Sequence, residues 1–79
     1  MVTVKVFGVV RLDSGVKSFE CSAVSIPEAF SAFNKQSAAP QEYGFGDVVV
    51  FINGERTTKK NDTLRDGDEV WFMSPVSGG

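Results

Sequence analysis

Histidine is missing from this chain of 79 residues, and cysteine occurs once, as Cys21. Without imidazole the chain lacks the side chain that most often moves protons near neutral pH and most often ligates metals, so neither a self-contained catalyst nor a bound metal is expected. One cysteine cannot close a disulfide within the chain, which argues against a stapled extracellular scaffold and for a reducing cytoplasm. With no histidine to activate its thiol, Cys21 reads as a small buried apolar side chain. No apolar run approaches the roughly 20 residues of a membrane span, and the start of the chain has none of the basic, apolar and small-residue sections of a signal peptide. A soluble protein without membrane contact is expected. Basic residues number 8 against 10 acidic ones, giving a net charge of -2 and a pI near 4.9. Arg56, Lys59 and Lys60 are too few to track a phosphate backbone, so nucleic acid is not an expected partner.

Hydrophobic residues make up 42% of the chain and charged residues 23%, enough apolar surface to bury a core and no signature of disorder. One domain is expected, near the size at which a single core supplies only about 3–5 kcal/mol, and large clefts are not. Val2, Val4 and Val6 alternate with Thr3, Lys5 and Phe7, the period of a strand with one buried face, and this strand is expected to extend towards Val10. Asp13-Ser14-Gly15 supplies turn chemistry before a second run, Val16 to Cys21, so the two runs predict a hairpin. Phe19 and Cys21 share one side of it, Ser18 and Glu20 the other.

Ser25-Ile26-Pro27-Glu28 has the pattern of a capping box with proline in the first turn, which predicts a helix start. Ile26, Ala29, Phe30 and Phe33 then follow helical spacing, and the helix ends before Pro40. Gln41 to Asp47 shows no period and reads as a loop. Val48 to Ile52 predicts a central strand closed by the turn dipeptide Asn53-Gly54, Leu64 is a lone apolar anchor, and Asp66-Gly67-Asp68 turns into a last strand, Glu69 to Met73. Pro75 stops that strand. The order predicts an α+β fold of the β-grasp type: a mixed sheet of four to five strands with one main helix packed on one face.

The chain ends Pro75-Val76-Ser77-Gly78-Gly79. Two glycines in series carry no side chain, so such a tail can thread a channel too narrow for other residues. Residues 1–74 are therefore read as the domain and 75–79 as a flexible tail whose terminal carboxylate is the reactive group. A carboxylate is a poor electrophile and nothing in this chain activates it. The tail reads as a substrate for a partner.

Taken in order, Val4-Lys5-Val6-Phe7-Gly8-Val9-Val10-Arg11-Leu12, Phe51-Ile52-Asn53-Gly54-Glu55, Leu64-Arg65-Asp66-Gly67-Asp68-Glu69-Val70 and the terminal diglycine resemble the ubiquitin-like sulfur carriers, and among them the small subunit of molybdopterin synthase. The resemblance covers nearly the whole length, with little from Gln41 to Asp47. It implies that Gly79 is adenylated, at the cost of ATP, by a partner resembling ubiquitin-activating enzymes, and that a sulfur-donating enzyme converts the adenylate to a thiocarboxylate. It further implies insertion of Pro75, Val76, Ser77 and Gly78 into partner active sites, a large synthase subunit that carries the catalytic acid and base groups, and no cofactor held by this chain. Molybdenum and tungsten pathways are indistinguishable on these residues.

Strand alternation adds an independent expectation. If Val2, Val4, Val6, Val70 and Phe72 face the helix, then Phe7, Phe51, Trp71 and Met73 share the sheet's open face, and contiguous apolar surface of that kind marks a partner interface. Seven of the ten acidic residues, Glu42, Asp47, Glu55, Asp62, Asp66, Asp68 and Glu69, fall in the second half, so a basic partner surface beside the tail is expected. Asp66 and Asp68 flank Gly67 as turn residues rather than as a metal pair. Three other functions share these features: sulfur delivery to thiamine, an amino acid or transfer RNA; a ubiquitin-like protein modifier; and an interaction module whose tail has no chemistry.

Overall fold

The computed structural model describes residues 1–75, and the readings placed on Val76, Ser77, Gly78 and Gly79 lie outside the described residues. Along the chain come β1 (Val2–Val6), α1 (Gly8–Ser14), β2 (Ser18–Cys21), α2 (Ile26–Gln36), a single 3-10 turn (Phe45–Asp47), β3 (Val49–Ile52), β4 (Glu55–Thr57) and β5 (Glu69–Met73). The strands form one mixed sheet in the order β2-β1-β5-β3-β4, with β1 parallel to β5 and the other pairs antiparallel. This is the expected β-grasp arrangement, and α2 is its main helix.

The core follows the two periods. Val2, Val4, Val6, Val50, Val70 and Phe72 point from alternate strand positions towards Ile26, Ala29, Phe30 and Phe33 of α2, and all ten are buried. The ring of Phe72 stacks on Phe30 with centroids 4.3 Å apart and meets Phe33 edge-on at 5.5 Å. β5 is the middle strand and Phe72 sits at the middle of the core. The expectation of a central strand at Val48 to Ile52 is met in that β3 has neighbours on both sides, β5 and β4. Asn53 and Gly54 both adopt positive φ, 52° and 86°, as a two-residue hairpin turn requires. The carbonyl oxygen of the Asn53 side chain also accepts from the Glu69 amide at 2.9 Å, so this turn is tied to the start of β5.

The expected hairpin of β1 and β2 is corrected. The two strands do pair, with Val4 opposite Phe19 and Lys5 opposite Ser18, but α1 connects them where a strand running towards Val10 and a tight turn were expected. Gly8 breaks the strand at φ 73°, and Gly15, also at φ 73°, ends the helix by donating its N–H to the Arg11 carbonyl. Asp13-Ser14-Gly15 is thus a helix end, in which glycine takes the left-handed conformation that other residues resist.

The capping box at α2 is also corrected. Ser25 makes no side-chain cap, and the Glu28 carboxylate accepts from Val24 N–H instead. The helix start is held from outside, by Ile26 N–H on the Asp62 carbonyl and by a bridge between Ser25 and Thr63. That contact seats Leu64, which is buried as expected. The segment before β3 is ordered by Asn34, whose side chain accepts from and donates to the backbone of buried Tyr43.

Candidate functional site

The open face of the sheet is built by register. Trp71 lies between Lys5 and Phe51 across the two strand pairs, Val49 opposes Met73, and Phe51 opposes Arg56, and directly opposed residues share a face. Phe7, one residue beyond β1, turns its ring edge onto Trp71 at 5.7 Å and 72°, while Phe51 approaches Trp71 from the other side at 5.9 Å. The structure therefore brings together all four residues expected there, Phe7, Phe51, Trp71 and Met73. Each is half-buried, because the rings shelter one another. Val49, Lys5, Glu69 and Arg56 complete the face and were not assigned to it from the sequence, although the same alternation places them.

Charge orients the central ring. The indole N–H of Trp71 donates to the Glu69 carboxylate, and Lys5 Nζ stands 3.5 Å from the same group. The hydrogen bond from Trp71, and secondarily the Lys5 charge, holds the Glu69 carboxyl below its usual range against the opposing effect of burial. The result is an apolar row with one charge pair on its flank.

That row leads to the end of the domain. Val49, Phe51, Arg56, Met73, Ser74 and Pro75 line one groove, so the apolar face and the last described residue share a surface. Ser74 is itself fixed: its hydroxyl accepts from Val10 N–H at 3.1 Å, in the first turn of α1. The acidic cluster lies elsewhere. Asp66 pairs with the terminal amine of Met1, and Asp68 accepts from Arg65 N–H and the Asn53 amide. From Glu69 to Ser74 the strand rises about 16 Å, so Asp66 and Asp68 stand at the far end of β5 from the last described residue. Both aspartates are engaged in turn and pairing contacts, as their reading as turn residues requires.

A depression of about 600 Å³, lined by residues that include Phe30, Lys35, Glu42, Phe45 and Lys60, lies over α2 and the segment before β3. It is open and distant from the apolar row. Among the described residues no group of three histidine, cysteine, aspartate or glutamate side chains could hold a metal, and no helix is long and apolar enough to cross a membrane.

A scan against family models matches residues 4–79 to the ThiS family. The chain belongs to the ThiS family. With that membership the fold takes a name: this is a ubiquitin-like sulfur carrier. Among solved structures it is similar to a chain of the complex of subunits 1 and 2 of molybdopterin-converting factor from Helicobacter pylori 26695, at 26% identity and TM-score 0.69, covering 99% of this chain and 97% of that one. It is similar to a Pyrococcus furiosus protein provisionally assigned as subunit 1 of molybdopterin converting factor, at 26% identity and TM-score 0.74, over 95% and 97% of the two chains. It shares its fold with small archaeal modifier protein 1 from Methanosarcina acetivorans, at 21% identity and TM-score 0.75, over 99% and 95%. No curated protein sequence matches the chain.

Proposed function

We propose that this ThiS-family carrier is the sulfur-donating small subunit of a molybdopterin-synthase-type enzyme. The observation that carries the reading is the continuity of Phe7, Trp71 and Phe51 with the groove at Pro75, in a chain that ends Gly78-Gly79. The row is the docking surface, residues 1–74 are the recognised body, and residues 75–79 are the tail that enters the partner. Similarity to molybdopterin-converting-factor chains at 26% identity supports the choice of pathway.

In the proposed sequence a carboxylate oxygen of Gly79 attacks the α-phosphorus of ATP in an adenylating partner and pyrophosphate leaves. A hydrosulfide equivalent delivered by a sulfur-donating enzyme then attacks the acyl carbon, AMP leaves with the broken C–O bond, and a proton is released. The resulting thiocarboxylate is the sulfur nucleophile for a pterin precursor on the large subunit, whose side chains supply acid and base. This chain contributes recognition and reach.

A copy lacking Gly79 tests the reading. Loss of sulfur transfer to the pterin acceptor with the fold retained is expected, and undiminished transfer would refute it. The second reading is a protein modifier joined through Gly79 to lysines, favoured by the fold shared with small archaeal modifier protein 1. Thiol-resistant conjugates of high mass, formed with ATP and without sulfur gain on the free chain, would select it.

A further inference from the structure

The first turn of α1 presents backbone N–H groups with no partner inside the helix, and its N-cap residue, Phe7, has no side-chain acceptor to offer. Ser74 supplies one from 64 residues further along the chain, through its Oγ on Val10 N–H at 3.1 Å. Gly8 makes the approach possible. A Cβ at position 8 would stand 2.6 Å from Ser74 Oγ and 3.1 Å from Ser74 Cβ, and the residue adopts φ +73°, so both space and backbone demand glycine there. Phe7 N–H on the Phe72 carbonyl, at 2.9 Å, joins the same two segments one step earlier. Ser74 is thereby held by the domain beyond the end of β5 at Met73, and among the described residues only Pro75 follows it.

From these contacts we infer that Ser74 is a positioning residue, which with Gly8 fixes the root from which the tail presents Gly79. The inference rests on the carrier reading above. Gly79 is the fifth residue after Ser74, a reach of at most about 18 Å when extended. Releasing Ser74 moves the root back to Met73, the last residue of β5, which pairs with Val49. Six residues then dilute the carboxylate about 1.3-fold by tether length alone, since effective concentration falls roughly as the −3/2 power of length. Loss of direction adds to this, because a reacting atom misplaced by about 1 Å can cost ~100-fold. Docking through Phe7, Trp71 and Phe51 is left intact.

The test is ATP–pyrophosphate exchange by a ubiquitin-activating-type adenylating enzyme from the same source, with the full chain and its Ser74→Ala and Gly8→Ala variants as substrate. Thermal melts establish that each variant folds, and amide hydrogen exchange at Val10 reports the contact. For Ser74→Ala the expected result is faster Val10 exchange and a kcat lower by about three- to tenfold with KM within twofold. A folded Gly8→Ala is expected to do the same from the other side of the contact. Unchanged Val10 exchange, unchanged kcat, or a rise in KM alone would overturn the inference while an adenylated wild-type chain upholds the carrier reading. If the wild-type chain supports no exchange with an enzyme active on its own carrier, the carrier reading fails and the inference with it.

Discussion

Trp71 stands between two rings and over one carboxylate, Phe7 and Phe51 on its flanks and Glu69 beneath its N–H. Large aromatic side chains at the centre of an interface carry most of its energy, commonly 2 kcal/mol or more, or about 30-fold in affinity. Trp71→Ala is therefore expected to weaken binding to the synthase large subunit at least about tenfold by titration calorimetry while the melting temperature moves little, because Trp71 lies outside the buried core. Affinity within twofold of wild type would remove the row from the interface. Asp68 makes a different kind of contribution. Hydrogen bonding by Arg65 N–H and then by the Asn53 amide lowers its pKa, outweighing burial. A lowered pKa stabilises the fold above the unfolded carboxylate pKa, near 4, and that contribution disappears as pH falls through the folded value. Asp68→Asn should lower the melting temperature at pH 7 and flatten its fall below about pH 4; parallel curves for the two proteins would contradict this. Of these residues, the alternation in Val2 to Phe7 and Val48 to Ile52 made the ring row legible in the sequence. The long-range partners of Ser74 and Asn53 were not, because a hydroxyl or amide acquires its role only when the sheet brings distant segments into contact.

At the scale of elements, β5, α2 and the Asn53-Gly54 turn were legible because each carries a strong local signal: alternation, helical spacing of four buried residues, and a dipeptide suited to positive φ. α1 was not. Its seven residues bury only Val10 and Ser14, an i and i+4 pair too short to establish a helical period against the apolar run Val9-Val10, which equally suits a strand. The legible clue was Gly15 as a helix end. Its N–H on Arg11 and its left-handed backbone predict that Gly15→Ala destabilises the domain by about 1 kcal/mol in urea unfolding, although a methyl group there would meet nothing within 4 Å. No loss of stability would show that the helix end relaxes freely. The missing cap at Ser25 belongs to the same scale, since the Asp62 carbonyl on Ile26 N–H and the bridge to Thr63 hold the helix start in place of the local motif.

For the whole molecule, a body this small leaves little margin. Replacing a core phenylalanine with alanine costs about 3–5 kcal/mol, comparable with the net stability of a domain of this size. Phe72→Ala is accordingly expected to leave the chain largely unfolded at 25 °C by circular dichroism, whereas Trp71→Ala, one residue away on the other face, is folded. That contrast expresses the division of the sheet: one face holds the body together and the other carries the proposed docking surface. The acidic turn at the start of β5 and the tail root at its end occupy opposite ends of the same strand, so the proposed docking near the tail rests on apolar contact more than on the charges of Asp66 and Asp68. The most direct measurement of sulfur carriage is the intact mass of the chain after incubation with ATP, a sulfur source and an extract of its host, beside a copy lacking Gly79. The mass is expected to rise by the replacement of one oxygen with sulfur in the full chain only. No gain in an extract shown to be active, or an equal gain in the truncated copy, would contradict a thiocarboxylate at Gly79.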